Sequence, residues 1–317
     1  MTGKQRFIKT LKREPITGLV PHFELVFYLT MEVLGKVHPE HRRFNQWGQM
    51  SVRERELQLR DVAACFVDIA AKYGHSAIFV HPSVSEFDAV KRLLEIIRET
   101  SGDEYFVMMH GDSTYSIPDG EHMTEIAVQM YEEPEVIIEN SKRMTDNQLE
   151  FAAKLQGTGL LDGFALCADY CFNVNPFFTC EMFDKLVVPS LRAVIAGYRE
   201  MGYYSIKHTD GNIMPILEQM VGCKPDALHS LDPQGGVDLA EVKRLVGDRV
   251  ALIGNVNCGL LQTGTEEEVR ADVLRSLRDG MPGGGYIFST SNCVYTGLPL
   301  ERYELMHALW LEHGAYA

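Results

Sequence analysis

A chain of 317 residues, 45% hydrophobic and 23% charged, is long enough and apolar enough to bury one large core. With 44 acidic against 30 basic side chains the net charge is −14, and no Lys/Arg cluster offers the basic face that phosphates need, which excludes nucleic acid as a partner. There is no apolar run of about 18 residues to span a bilayer and no apolar signal segment at the start, and the seven cysteines are odd in number and scattered; the expectation is a cytoplasmic protein with reduced thiols.

In chain order, the first ~18 residues and the stretch Phe44–Tyr73 predict helices added to a central repeat. Short apolar or β-branched runs predict eight strands, at Leu19–Leu25, Ser76–Val80, Tyr105–Met109, Gly163–Cys167, Tyr203–Lys207, Asp226–Ser230, Val250–Gly254 and Gly285–Ser289. Between them lie helical patterns. Glu135–Gln156 spaces Val136, Ile137, Met144, Leu149 and Ala152 along one face, and Thr179–Met201 does the same, with a kink expected at Pro189. Thr265–Asp279 opens on a capping box of Thr265 and Glu268, and Pro299–Leu311 predicts a last helix. Parallel strands need crossover helices, so the alternation predicts an α/β fold, a (β/α)8 TIM barrel with additional N-terminal helices, as one domain over residues 1–317. Gly283–Gly285 precedes the last strand and predicts a tight turn at the closed end.

In such a barrel chemistry gathers where strands end and the following loops begin. Those positions hold Glu24, His81, His110, Asp112, Asp169, His208, Asp210, Asn212, Asp232, Asn255, Asn257, Asn292 and Cys293; the opposite ends hold no comparable set. His208-Thr-Asp-Gly-Asn212 is the sharpest element. Residues two apart on extended backbone share a face, so His208 and Asp210 can converge as a metal-ligand pair or an acid/base pair. The other reading of the same residues is a capping turn around a buried, hydrogen-bonded histidine, with Gly211 for the turn and Asn212 as the cap. His81 and His110 are either imidazoles of the site or near-core histidines. Phe172 and Phe177 line either packing surface or an apolar pocket, and Asn255 and Asn292 either bind substrate or cap turns. Cysteines after strands, Cys293 among them, can complete a tetrahedral zinc site or fill space under loops.

The order of features resembles the uroporphyrinogen decarboxylase superfamily from end to end. It runs through Lys4-Gln-Arg-Phe-Ile-Lys-Thr-Leu11, Val20-Pro21, His208-Thr-Asp-Gly-Asn212, Leu252-Ile-Gly-Asn-Val256, Gly283-Gly-Gly-Tyr-Ile-Phe-Ser289 and Leu298-Pro-Leu-Glu-Arg-Tyr303. The resemblance implies an enzyme on an α/β barrel with a small-molecule substrate. The decarboxylases proper place arginines in the N-terminal motif for a porphyrinogen rich in carboxylates; here Val20-Pro-His-Phe-Glu24 puts an acid there. The chain is closer to the corrinoid-dependent methyltransferase and O-demethylase branch of anaerobic metabolism. In its thiol-methylating members zinc sits on a His-x-Cys after strand 5 and a cysteine after strand 8; this chain has His208-Thr-Asp210, then Asn292 with Cys293 one step along.

The resemblance thus implies methyl transfer between a small methylated, for instance methoxyaromatic, substrate and a corrinoid carried by a separate protein. It implies catalysis by His208, Asp210 and Glu24, and zinc held by His208, Glu24 and Cys293. Substrate contacts fall to Asp169, Asn212, Asn255, Asn292, His81, His110, Phe172 and Phe177. The alternative is decarboxylation of a porphyrinogen or smaller acid. A homodimer is compatible with either.

Overall fold

The computed structural model describes residues 1–316. Two short terminal strands, β1 (Gly18–Leu19) and β9 (Ala315–Tyr316), pair antiparallel. Between them run seven strands that pair in parallel, each with the next: β2 (Ala77–Val80), β3 (Phe106–His110), β4 (Gly163–Leu166), β5 (Tyr204–Thr209), β6 (Ala227–Ser230), β7 (Ala251–Val256) and β8 (Tyr286–Thr290). All seven fall on the predicted runs. Continuous apolar stretches bounded by Gly or Asp read well as strands buried on both faces.

The first predicted strand differs. Leu19–Leu25 is not one ladder strand: β1 ends at Leu19, and the chain then crosses the gap between β8 and β2 as an irregular extended segment. Phe288 N donates to Pro21 O (2.8 Å), Phe23 N to Phe288 O (3.3 Å), and Ser76 N to His22 O (2.7 Å). These bonds close the barrel at the eighth position. Pro21 has no amide hydrogen to give, which interrupts a regular ladder there.

Side chains alternate across the barrel wall. Phe23, Phe79, Phe106, Met108, Ala165, Ile206, Ala227, Ala251, Ile253 and Ile287 fill the interior, large opposite small. The N-terminal helix Gly3–Leu11 plugs the closed end. Its capping box of Thr2 and Gln5 fixes the start, and Phe7, wholly buried, packs on Phe106 at 4.8 Å between ring centroids. A second, larger core lies between strands and surrounding helices. The helix predicted over Thr179–Met201 is broken at Val187 into Cys180–Leu186 and Val188–Glu200, with Pro189 in the first turn of the second, where its missing amide costs nothing. The Thr265–Glu268 capping box forms as expected, and Gly283, Gly284 and Gly285 all take positive φ in the turn before β8. Among the described residues no helix is long and apolar enough to cross a membrane.

Candidate functional site

β5 sets the site. Ile206 faces the barrel interior and His208, two residues on, emerges from the same face near the open end. His208 Nε2 lies 3.8 Å from Asp210 Oδ1 and 3.8 Å from Asp169 Oδ1. Asp169 comes from the loop after β4, and its Oδ1 also accepts from Asp210 N at 3.1 Å. One ligand atom from each of the three residues lies within 4.8 Å of the other two. Asp210 Oδ2 is held by Asn292 Nδ2, and Asn292 Oδ1 accepts from Cys293 N (2.6 Å), while Asp210 Oδ1 is buried with no hydrogen-bond partner.

Burial pushes the Asp210 carboxyl up to about 7, and the Asp169 charge adds to the shift. Burial pushes His208 down to about 4. An imidazole and two carboxylates that converge in this way carry excess negative charge, which a proton on Asp210 or a bound cation offsets.

The loops around this group are braced from the next layer. A Cβ on Gly211 (φ +77°) would meet the carbonyl oxygens of Phe172 and Cys171 at 2.5 and 2.7 Å, so only glycine lets the two loops touch. Asp232 accepts from Gly211 N at 3.3 Å and Gln234 N at 2.9 Å. Lys207 alternates with His208 and points outward. It is fully buried, donating to Asp112 Oδ2 (2.8 Å), Ala168 O (2.7 Å) and Leu166 O (3.2 Å), with Nζ 4.0 Å from the Tyr170 ring centroid. Burial alone would raise the Asp112 pKa; the Lys207 ammonium overrides it and holds it below the usual carboxylate value.

The remaining expected residues divide. His81 and exposed His110 stand at the ends of β2 and β3, His81 Nδ1 lying 3.7 Å from Glu40. Phe172, 40% exposed, and Phe177 meet edge to face at 6.3 Å on the loop beside Gly211. Asn212 braces that loop, donating to Val174 O (3.0 Å) and accepting from Met214 N (3.2 Å) at a 3-10 turn rather than capping an α-helix.

Asn255 is a correction. It is wholly buried and turned toward the helix Glu266–Gly280, donating to Leu231 O (2.7 Å) and accepting from Arg275 (3.0 Å) and Ser276 (3.4 Å), so no polar atom of its side chain is left for a substrate.

Glu24 and Cys293 do not join the group around His208; Asp169 takes that place. Cys293 lies half-buried beside Asn292, its thiol pushed up by burial and then by the Asp210 charge. Glu24 alternates with Phe23 and Leu25, which face the interior, so its carboxyl shares the outward face with His22. There Oε2 accepts from Thr290 Oγ1 (2.5 Å), Thr290 N (3.2 Å) and Ser289 Oγ (3.2 Å), while Oε1 has no partner and lies 4.0 Å from His22 Nε2.

Burial pushes Glu24 up to about 8, against an ordinary value of 4.5. The folded protein therefore keeps a proton that the unfolded chain releases. This stability is full below the unfolded value and is lost as pH rises through the folded one, by on the order of 5 kcal/mol in total. Glu24→Gln is expected to flatten that decline, read as denaturation midpoints of both proteins at about pH 5 and about pH 9.

Sequence reading passed over His229. It is buried on β6 in register with His208, and the two Nδ1 atoms lie 2.7 Å apart. The available signal was a histidine inside the apolar strand Ala227-Leu-His-Ser230.

Three comparisons bear on this site. A family model described as uroporphyrinogen decarboxylase (URO-D) matches residues 113–311. A curated uroporphyrinogen decarboxylase from Thioalkalivibrio sulfidiphilus is 36% identical over 66 residues, 21% of this chain; the match spans only 18% of that relative's length. A solved structure of a methyltransferase from Methanosarcina mazei has the same fold, with a TM-score of 0.73 at 15% identity over 98% of this chain and 99% of that one. The matched span takes in β4 to β8 and the whole His208–Asp210 group, and on it the chain belongs to the uroporphyrinogen decarboxylase family.

Proposed function

We propose that the protein is a methyltransferase that moves a methyl group from a small methylated substrate, of the methoxyaromatic class, to a corrinoid held by a separate protein. The observation that carries this reading is the convergence of Asp169, His208 and Asp210 at the open end of the barrel. An aryl ether is a poor leaving group, and its oxygen must gain a proton or a Lewis acid as the methyl–oxygen bond breaks. Asp210, with a proton held up to about pH 7, is placed to protonate that oxygen, and Asn292 fixes its orientation. Asp169 and His208 bear on the same point, and Phe172 and Phe177 present ring edges and faces to flank an aromatic substrate.

The three donors also fit a divalent ion. They are oxygen, nitrogen and oxygen, Asp210 Oδ1 is buried without a partner, and three protein donors are the number a catalytic zinc ion would take. A zinc ion held by Asp169, His208 and Asp210 would act as a Lewis acid on the ether oxygen. A reduced corrinoid on the partner protein would supply the nucleophile, and the exposed apolar tip with Phe172 and Val174 (79% exposed) offers that partner a surface beside the site.

The charge at the mouth opposes a porphyrinogen bearing many carboxylates. Asp169 and Asp210 face it, whereas Lys207 is consumed by Asp112 and Arg275 by Asn255 and Asp272. The deciding assay uses anaerobically purified protein with free cob(I)alamin as acceptor and a panel of methoxybenzoates and methoxyphenols. Formation of methylcobalamin together with the free phenol is the expected result. Loss of carbon dioxide from uroporphyrinogen with no methyl transfer would establish the decarboxylase instead.

A further inference from the structure

We infer that His229 is a positioning residue that locks His208 in the tautomer with its proton on Nδ1, so that the lone pair of His208 Nε2 faces the mouth of the barrel. The inference rests on the reading of His208 as the centre of the site, but not on methyl transfer. It follows from counting donors. His229 Nε2 lies 3.3 Å from the backbone oxygen of Thr290, and a carbonyl oxygen only accepts, so His229 carries its proton on Nε2. In a neutral imidazole the other nitrogen then holds a lone pair. That nitrogen, His229 Nδ1, lies 2.7 Å from His208 Nδ1. Two ring nitrogens at that separation need one proton between them, and only His208 is left to provide it.

His208 Nδ1 therefore donates, and His208 Nε2 is bare, 3.8 Å from the nearest oxygens of both Asp169 and Asp210. Both rings are buried, at 6% and 1% exposure, which disfavours the charged imidazolium that would escape this count. The relay crosses the barrel end over three strands: His208 and His229 pair in register on the neighbouring β5 and β6, and Thr290 ends β8, with β7 between β6 and β8. Its consequence is specific. A bare Nε2 is a ligand for a cation or an acceptor for a proton; the opposite tautomer would donate to the two carboxylates and offer neither. Thr290 serves both sides of the wall, because its hydroxyl contacts Glu24 while its carbonyl orients His229.

The test is nitrogen NMR of protein labelled with 15N-histidine, with His208 assigned by its disappearance in His208→Gln, alongside titration with zinc alone. In the wild type, His208 is expected to show a protonated Nδ1 and an unprotonated Nε2. His229→Asn keeps an oxygen where His208 Nδ1–H can donate and should preserve both the tautomer and the zinc affinity. His229→Leu removes the acceptor; the proton should redistribute to Nε2 and zinc affinity should fall by about 10–100-fold. Retention of fold is checked by the far-UV spectrum, and the Asn variant separates loss of the acceptor from loss of packing. A proton on His208 Nε2 in the wild type overturns the inference, as does a Leu variant with unchanged tautomer and zinc affinity. Wild-type protein that binds no zinc but shows the Nδ1–H tautomer upholds the lock while removing the metal from the proposed function.

Discussion

Alanine at both His208 and Asp210 is expected to lower methyl transfer by about 10²–10⁴-fold or more, the range that a positioned acid or base contributes. The reasoning is geometric. Asp210 is the group with a proton to give near neutral pH, and His208 Nε2 sits 3.8 Å from its Oδ1, so the pair removes both the proton and the nitrogen that bears on it. Asp169 alone, with a side chain 43% exposed, remains at the mouth as a single carboxyl group without the imidazole and the buried carboxyl that converge on it. Asp210 Oδ1 has no partner to lose, but the change strips Asn292 Nδ2 of Asp210 Oδ2 and His229 Nδ1 of His208, so retention of fold is checked by the far-UV spectrum. The same double variant should lose divalent-metal binding, measured by metal content after dialysis beside the wild type. Methyl transfer at wild-type rate in the double variant would sink the assignment of the site.

Asp112→Ala is expected to destabilise the protein by about 3–5 kcal/mol, the usual result of stripping the partner from a buried charge. Lys207 is 0% exposed and Asp112 3%, so the ammonium left behind can neither reach water nor find another carboxylate. Asp112 also accepts from Thr114 N (2.9 Å), Thr114 Oγ1 (2.6 Å) and Ala168 N (2.8 Å), tying the loop after β3 to the chain just before Asp169. Urea denaturation of Asp112→Ala, Lys207→Met and the double variant separates the terms. The double variant should recover much of the loss, since no unpaired charge remains and the methionine fills a similar volume. If the double variant is as unstable as Asp112→Ala while Lys207→Met stays near the wild type, the loss lies in the loop contacts. If Asp112→Ala costs under about 1 kcal/mol, the pair contributes little.

Asp112 also shows why strand-end residues are hard to sort from sequence. It belongs to the same polar set as Asp169 and Asp210, yet it points behind the wall, to Lys207, while they face the mouth. Asn255 misleads in the same way: the polar atoms that suggested substrate contact are spent on Leu231, Arg275 and Ser276. His208 and Asp210 were legible because two residues on one regular strand end share a face whatever the rest of the chain does. Glu24 was not, because its segment is irregular and is held by bridges to Phe288 and Ser76 rather than by a ladder.

What the amino-acid sequence determined by itself is local and periodic. Apolar runs placed β2 to β8, the capping boxes started their helices, and the His208-x-Asp210 spacing put an imidazole and a carboxylate together at one strand end. Only the tertiary structure decided which residues meet across strands. It brought Asp169 from β4's loop to His208, set His229 from β6 behind it, turned Glu24 and Asn255 away, and closed the barrel with Pro21–Phe23 instead of a full strand. Periodicity reports how a segment folds on itself, whereas register and facing are fixed by hydrogen bonds to neighbours 21 or more residues away, as between His208 and His229.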